Sequence, residues 1–198
     1  PLATQQYLPA RDPARTKLLI MVYWGTTHVP VPANESNAMM VLQQAFTDVQ
    51  NGNAQAFAED ELTTAMALVQ AENRQRHQSD IENINMLGYD SWLRSTAGDL
   101  RGTAFEQRGR DLYDEIEQSR YFVVLMAYDF QALSKEKKPV LLWETRFSIQ
   151  QRHHDFDKDL PSMAQYASRY FGRDSHGLVH DEIPLGQVDV GDVKTIVE

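Results

Sequence analysis

Tyr121-Phe122-Val123-Val124-Leu125-Met126-Ala127-Tyr128 is an uncharged run of eight residues, and Val140-Leu141-Leu142-Trp143-Glu144-Thr145-Arg146-Phe147-Ser148-Ile149 begins twelve positions after it ends. Their lengths and their β-branched and aromatic content favour strands over helices. The first run is apolar on both faces, which predicts a buried strand. In the second, Leu141, Trp143, Phe147 and Ile149 share one face while Glu144, Arg146 and Ser148 share the other, because strand side chains alternate. This strand is expected to be buried fully at its start and on one face beyond it. Between the runs lies a charged connection, Phe130 to Pro139, with Lys135-Glu136-Lys137-Lys138. It is long enough for a helical turn, and antiparallel pairing is the least costly way to join two strands so close in sequence.

Upstream, Leu18-Leu19-Ile20-Met21-Val22-Tyr23-Trp24 is continuously apolar and is followed by Gly25. Both of its faces are apolar, so a central strand covered on both sides is expected. Residues 1–17 carry Pro1, Pro9 and Pro13 and form an extended lead-in, since proline forbids a regular helix there and discourages central pairing. Thr26 to Asn34, with Pro30 and Pro32, reads as a loop. Ser36 or Asn37 is placed to cap a helix carrying Met39, Met40, Leu42, Phe46 and Val49, which Asn51-Gly52-Asn53 ends. A second helix is expected from about Ala54 to His77, with Leu62, Met66 and Val69 on one face. Its all-polar end, Glu72 to Gln78, should project into solvent or fray. Ile81 to Gly102 has partial helical spacing broken by Gly88 and Gly98. A helix follows from Thr103 to Gln118, with Phe105, Leu112 and Ile116 inward and Asp111, Glu115 and Glu117 outward.

Beyond the strands, Asp157 or Asp159 is placed to cap a helix through Leu160, Met163, Tyr166, Ala167 and Tyr170, with Pro161 in its first turn and Gly172 at its end. The tail from Leu185 to Glu198 either adds an edge strand or drapes on the surface. Together these elements predict an α/β (α+β) fold for a single domain over residues 1–198: a small mixed sheet of three to four strands with helices packed on it.

The order and texture of Tyr121–Tyr128, the Lys-rich turn, Leu141-Leu142-Trp143-Glu144-Thr145-Arg146, the helix after it, and Tyr170-Phe171-Gly172-Arg173-Asp174 resemble uncharacterised bacterial secreted and lipoprotein envelope families. The resemblance spans residues 121–174 and implies an α/β fold and an envelope location. It carries no functional residue. A chain that starts at Pro1 is expected to be a processed one, periplasmic or secreted, with lipid anchoring through a removed N-terminal segment as an alternative.

Composition narrows the chemistry. Lys and Arg number 19 against 28 Asp and Glu, a formal charge of −9 over 198 residues, so the long-range field repels phosphate backbones and no nucleic-acid partner is expected. With no cysteine, disulfides, iron–sulfur clusters, thiol catalysis and Cys-ligated zinc are excluded. No apolar run reaches the ~20 residues of a membrane span. There is no glycine-rich loop opening a helix after a strand and no Gly-x-Ser-x-Gly elbow, so the Rossmann, P-loop and α/β-hydrolase patterns fail their own context tests.

Two histidine clusters remain: His153-His154-Asp155-x-Asp157-x-Asp159, and His176-x-x-x-His180-Asp181-Glu182. Imidazole and carboxylate are metal ligands. Adjacent histidines in extended chain point apart, however, and acids near a helix start are already favoured by its dipole. The second pair lacks the glutamate of the metalloprotease helix and is bracketed by Gly172, Gly177 and Pro184. No metal and no cofactor is therefore expected. Asp129 sits at a strand end, where catalytic acids often sit, without a visible partner. Aromatics Tyr23, Trp24, Tyr121, Trp143, Tyr170 and Phe171 are expected in the core or at its rim rather than around a ligand. The functional expectation is a non-catalytic binding or interaction module of the bacterial cell envelope. Its ligand or protein partner and its oligomeric state are not specified by any motif. The alternative is a metal-dependent hydrolase using His153, His154, His176 or His180 with nearby aspartates.

Overall fold

In the computed structural model, which describes residues 1–51, 57–90, 93–94, 103–175 and 178–181, three strands build one sheet. They are β1 (Leu18–Thr26), β2 (Arg120–Asp129) and β3 (Leu141–Gln150), in the order β1-β2-β3 and antiparallel at both junctions. Around them run α1 (Asn37–Gln50), α2 (Phe57–Leu87), α3 (Thr103–Ile116), α4 (Phe130–Glu136) and α5 (Phe156–Ala167). This is the α/β architecture of helices on a small sheet that the sequence predicts. The segment from Leu185 to Glu198 lies outside the described residues.

β2 is the central strand. Val123, Val124, Leu125 and Ala127 are buried, and the strand is paired along both edges. Val123 and Leu125 face Ala167 and Phe171, with Phe156 and Leu160 of α5 and Trp143 and Phe147 of β3 around them. Leu2 and Tyr7 join the same cluster, so the lead-in is part of the core. Trp143 lies 5.6 Å from Tyr7 and stacks on Phe171 at 5.8 Å. Gly172 passes this site with φ +71, where an added Cβ would meet the Tyr7 hydroxyl at 2.9 Å. On the opposite face Phe122 packs against Leu87, Tyr89, Leu112 and Ile116. Alternation along β2 thus divides the core into two layers, one under α5 and one under α2 and α3.

The expected central position of Leu18–Trp24 is corrected. β1 is an edge strand, and Met21, Val22, Tyr23 and Trp24 are 38%, 45%, 47% and 64% exposed. Apolarity on both faces records what the strand could bury, whereas the helices cover mainly β2 and β3. The start of β3 is corrected too. A register shift sets Ala127 opposite Trp143 but Tyr128 opposite Leu141. This extra residue turns Leu141 to the face opposite Trp143, and Leu141 and Leu142 are both exposed rather than buried.

Helix ends follow side-chain chemistry. The Ser36 hydroxyl accepts the Met39 N–H at 3.1 Å and caps α1. The carboxylate of Asp129 accepts the N–H groups of Gln131 (2.8 Å) and Ala132 (3.0 Å) and starts α4, so the acid at the strand end is a helix cap. Asp129→Ala is expected to cost about 1 kcal/mol, read as a lower denaturant midpoint with an unchanged slope. Lys137 closes α4 at φ 56, a left-handed position, so it is more constrained than an ordinary surface lysine. Asp155, not Asp157 or Asp159, caps α5. This leaves the other two acids in the first turn and carries Pro161 past it. The backbone N–H of Lys158, then its ammonium, and last the backbone N–H of Asp157 hold the Asp155 carboxyl below the usual carboxylate range.

α1 packs on α2, but its buried residues are Ala38 and Ala45. Met40, Phe46 and Val49 are exposed instead. α2 continues to Leu87 without a break, so Glu72 to Gln78 is mid-helix and is not a fraying end. Its polar residues hold the start of α1 and the loop before it: Glu72 accepts the Ala38 N–H at 3.4 Å and Arg76 donates to the Val31 carbonyl at 3.2 Å. Two turns beyond Arg76, Asn83 is 1% exposed. Its amide nitrogen donates to the carbonyls of His28 (2.7 Å) and Ile116 (3.1 Å), and its oxygen accepts the His28 N–H at 3.2 Å. One side chain therefore ties α2 to the end of α3 and to the loop after β1.

Candidate functional site

Among the described residues β3 has β2 on one side only, and a groove of about 420 Å³ runs along its other side. Five consecutive β3 residues, Glu144 to Ser148, line it. Consecutive strand residues alternate between faces, so the groove follows the strand's edge rather than either face. One wall is Leu87 at the end of α2, Tyr89 just beyond it, Glu115 near the end of α3, and Arg120 at the start of β2; the other is Met163, Tyr166 and Tyr170; Leu178 to Asp181 complete it.

The first wall is set by the end of α2. Gly88 adopts φ +78, and the N–H groups of both Gly88 and Tyr89 bond to the Ile84 carbonyl at 3.0 Å. That left-handed glycine turns Tyr89 under the helix. An added Cβ at Gly88 would meet Arg146 Cδ at 2.9 Å, because the Arg146 guanidinium reaches the carbonyls of Asn85 and Met86 and pairs with Glu144. Buried Tyr89 donates its hydroxyl to Glu115 Oε2 at 2.6 Å. Arg120 Nη1 lies 3.7 Å from the same oxygen, and its Nε donates to Ser148 Oγ at 3.0 Å. On the groove side, His180 Nε2 stands 3.3 Å from Glu115 Oε1. Glu115 thus gathers a phenol, a guanidinium and an imidazole.

Burial, and then the Glu115 carboxylate, push the Tyr89 hydroxyl above its ordinary range. A group whose folded pKa exceeds the unfolded value of about 10 contributes fully below pH ~10 and loses that contribution as pH rises further. Stability is therefore expected to fall above pH ~10, and Tyr89→Phe should flatten that alkaline limb. At neutral pH the same variant loses a hydrogen bond to a charged acceptor, about 1.5–3 kcal/mol. Urea midpoints from pH 8 to 11 for both proteins check the two effects together.

The described histidines fall in different surroundings. His153 is a turn residue at φ 68. His154 Nδ1 lies 3.0 Å from Asp159 Oδ2 at the start of α5, while His180 faces Glu115 in the groove. His176 lies outside the described residues. Among the described residues no three His, Asp or Glu side chains converge as a metal site. Glu115 was expected to point outward. It stands three residues after buried Leu112 and beside buried Ile116, at the margin of the buried stripe, and that spacing is the signal that marks it. Tyr89 carried only the weaker sign of following Gly88. Of the aromatics, Trp143 and Phe171 belong to the core and Tyr170 to the groove, whereas Tyr23 and Trp24 are exposed on β1.

No described helix is long and apolar enough to cross a membrane. Comparison with protein-family models, with curated proteins and with solved structures finds no match to the chain.

Proposed function

We propose that the chain is a non-catalytic binding module of the bacterial cell envelope, with its ligand, a small molecule or the extended end of a peptide, held in the groove beside β3. The observation that carries this is the groove itself: a strand edge with no strand partner among the described residues, between an aromatic wall and a polar wall, with a volume of about 420 Å³ inside the size range of ligand sites. Strand edges recognise extended chain through backbone hydrogen bonds and use side-chain walls for selectivity. The polar groups support binding over chemistry, since Glu115, Tyr89, Arg120 and Ser148 already satisfy one another. The envelope assignment rests on the resemblance of residues 121–174.

A thermal-shift screen of small molecules and short peptides tests this against the groove-blocking variant Leu178→Arg. Ligands that raise the melting temperature of the parent and fail to raise that of Leu178→Arg are expected. The pairing of His180 with Glu115 in the groove is the observation that most favours a hydrolase. Turnover of ester, phosphoester or peptide substrates that disappears in His180→Ala would replace the binding module with that enzyme.

A further inference from the structure

The second unpaired edge of the sheet, β1, is built unlike a protected edge. From Leu18 to Asn34 the chain has no Asp, Glu, Lys or Arg, and β1 pairs with β2 in unbroken register without a bulge. Edges that must stay single are usually blunted by charge, proline or a bulge. Here Met21, Val22, Tyr23 and Trp24 are exposed in succession, two on each face of the sheet.

The direction of the backbone follows from the ladder. Lys17 O accepts from Phe130 N and Thr27 N donates to Arg120 O, so odd-numbered residues of β1 bond to β2. The N–H and C=O groups of Leu18, Ile20, Val22, Trp24 and Thr26 therefore point away from the sheet. Among the described residues nothing bonds to them.

We infer that this edge pairs with β1 of a second copy of the chain, antiparallel about a two-fold axis at Val22. That register sets Val22 against its own copy, Ile20 against Trp24 and Met21 against Tyr23. It uses the full strand and forms about ten backbone hydrogen bonds, joining two sheets into one of six strands. Two observations favour a copy of this chain over another partner. Identical chains of charge −9 repel one another, and β1 offers an uncharged strip that meets itself without like charges. The strip is about 30 Å long and, with side chains on both faces, about 600 Å² per copy, which reaches the lower end of specific interfaces. Closed two-fold pairing is also the commonest way a chain associates with itself.

Single-cysteine variants of the full chain test this cleanly, because the chain has no other cysteine. Opposed residues in a hydrogen-bonded antiparallel pair have Cα atoms about 5.5 Å apart, within disulfide reach. Val22→Cys should cross-link under mild oxidation at least tenfold faster than Val31→Cys, which stands at a more exposed position away from the edge. Sedimentation of the parent at about 100 μM should show a dimer, and the folded variants Val22→Lys and Val22→Pro should sediment as monomers. The proline removes an outward N–H and leaves the β1–β2 ladder its donors. A monomeric parent, equal cross-linking rates, or a dimer that survives folded Val22→Lys would each overturn the pairing.

Discussion

Leu125→Asp is expected to leave the chain without a cooperative folded state at 25 °C. Leu125 is 5% exposed, in the cluster with Val123, Ala167 and Phe171. Its cross-strand neighbours are Val22 and Thr145, so a carboxylate there meets no cation. An uncompensated buried charge costs about 3–5 kcal/mol, a large part of the ~5–15 kcal/mol that holds a domain together. Val124→Asp is the milder change, although Val124 is also buried, because Arg146 stands directly opposite it. Urea unfolding monitored by circular dichroism would show no native baseline for Leu125→Asp and a lowered but intact transition for Val124→Asp. A parental midpoint for Leu125→Asp would contradict the assignment of β2 to the centre of the sheet.

Asn83→Leu should be nearly as damaging, for the opposite reason. The site is buried and Leu is of similar size, so the loss comes from three stranded backbone groups: the His28 N–H, the His28 carbonyl and the Ile116 carbonyl. A buried polar group left unsatisfied costs about 1–3 kcal/mol; the Ile116 carbonyl is buried and the two His28 groups are part-buried and cost less, so a total of about 3–5 kcal/mol is expected. Asn83→Asp should be at least as damaging, since it keeps the acceptor for the His28 N–H but sets a buried carboxylate against the His28 and Ile116 carbonyl oxygens with no donor between them. A Leu variant within 1 kcal/mol of the parent would show that water reaches these groups and that the tie is not needed.

These two residues also show where the sequence was legible. Leu125 lies in a run whose length and apolarity mark a strand, and the neighbouring run and its charged turn fix antiparallel pairing. Strand neighbours were not legible in the same way. The apolar pattern of Leu18 to Trp24 fits a central strand and an unprotected edge equally well, because periodicity counts apolar faces and not partners. Asn83 could not be singled out, since a buried asparagine in a helix differs from an exposed one only through groups that arrive from residues 28 and 116. Glu115 was misplaced for the same reason: its neighbours Tyr89, Arg120 and His180 come from three other segments. Caps are more legible: Ser36 is one of the two residues that the sequence offers for α1, while at α5 the cap is Asp155, two and four residues before Asp157 and Asp159.

The most direct measurement of the central claim, that the edge groove of β3 is the binding site, is a ¹H–¹⁵N spectrum of the full chain during titration with a soluble fragment mixture of small carboxylates, amines, sugars and dipeptides. Saturable shifts are expected at the amides of Glu144 to Ser148 together with Tyr89 and Tyr166, all of which line the groove, and they should be lost in Leu178→Arg. Shifts gathered instead around Val41, Ala45 and Thr64, which line the cleft between α1 and α2, with β3 silent throughout, would contradict it.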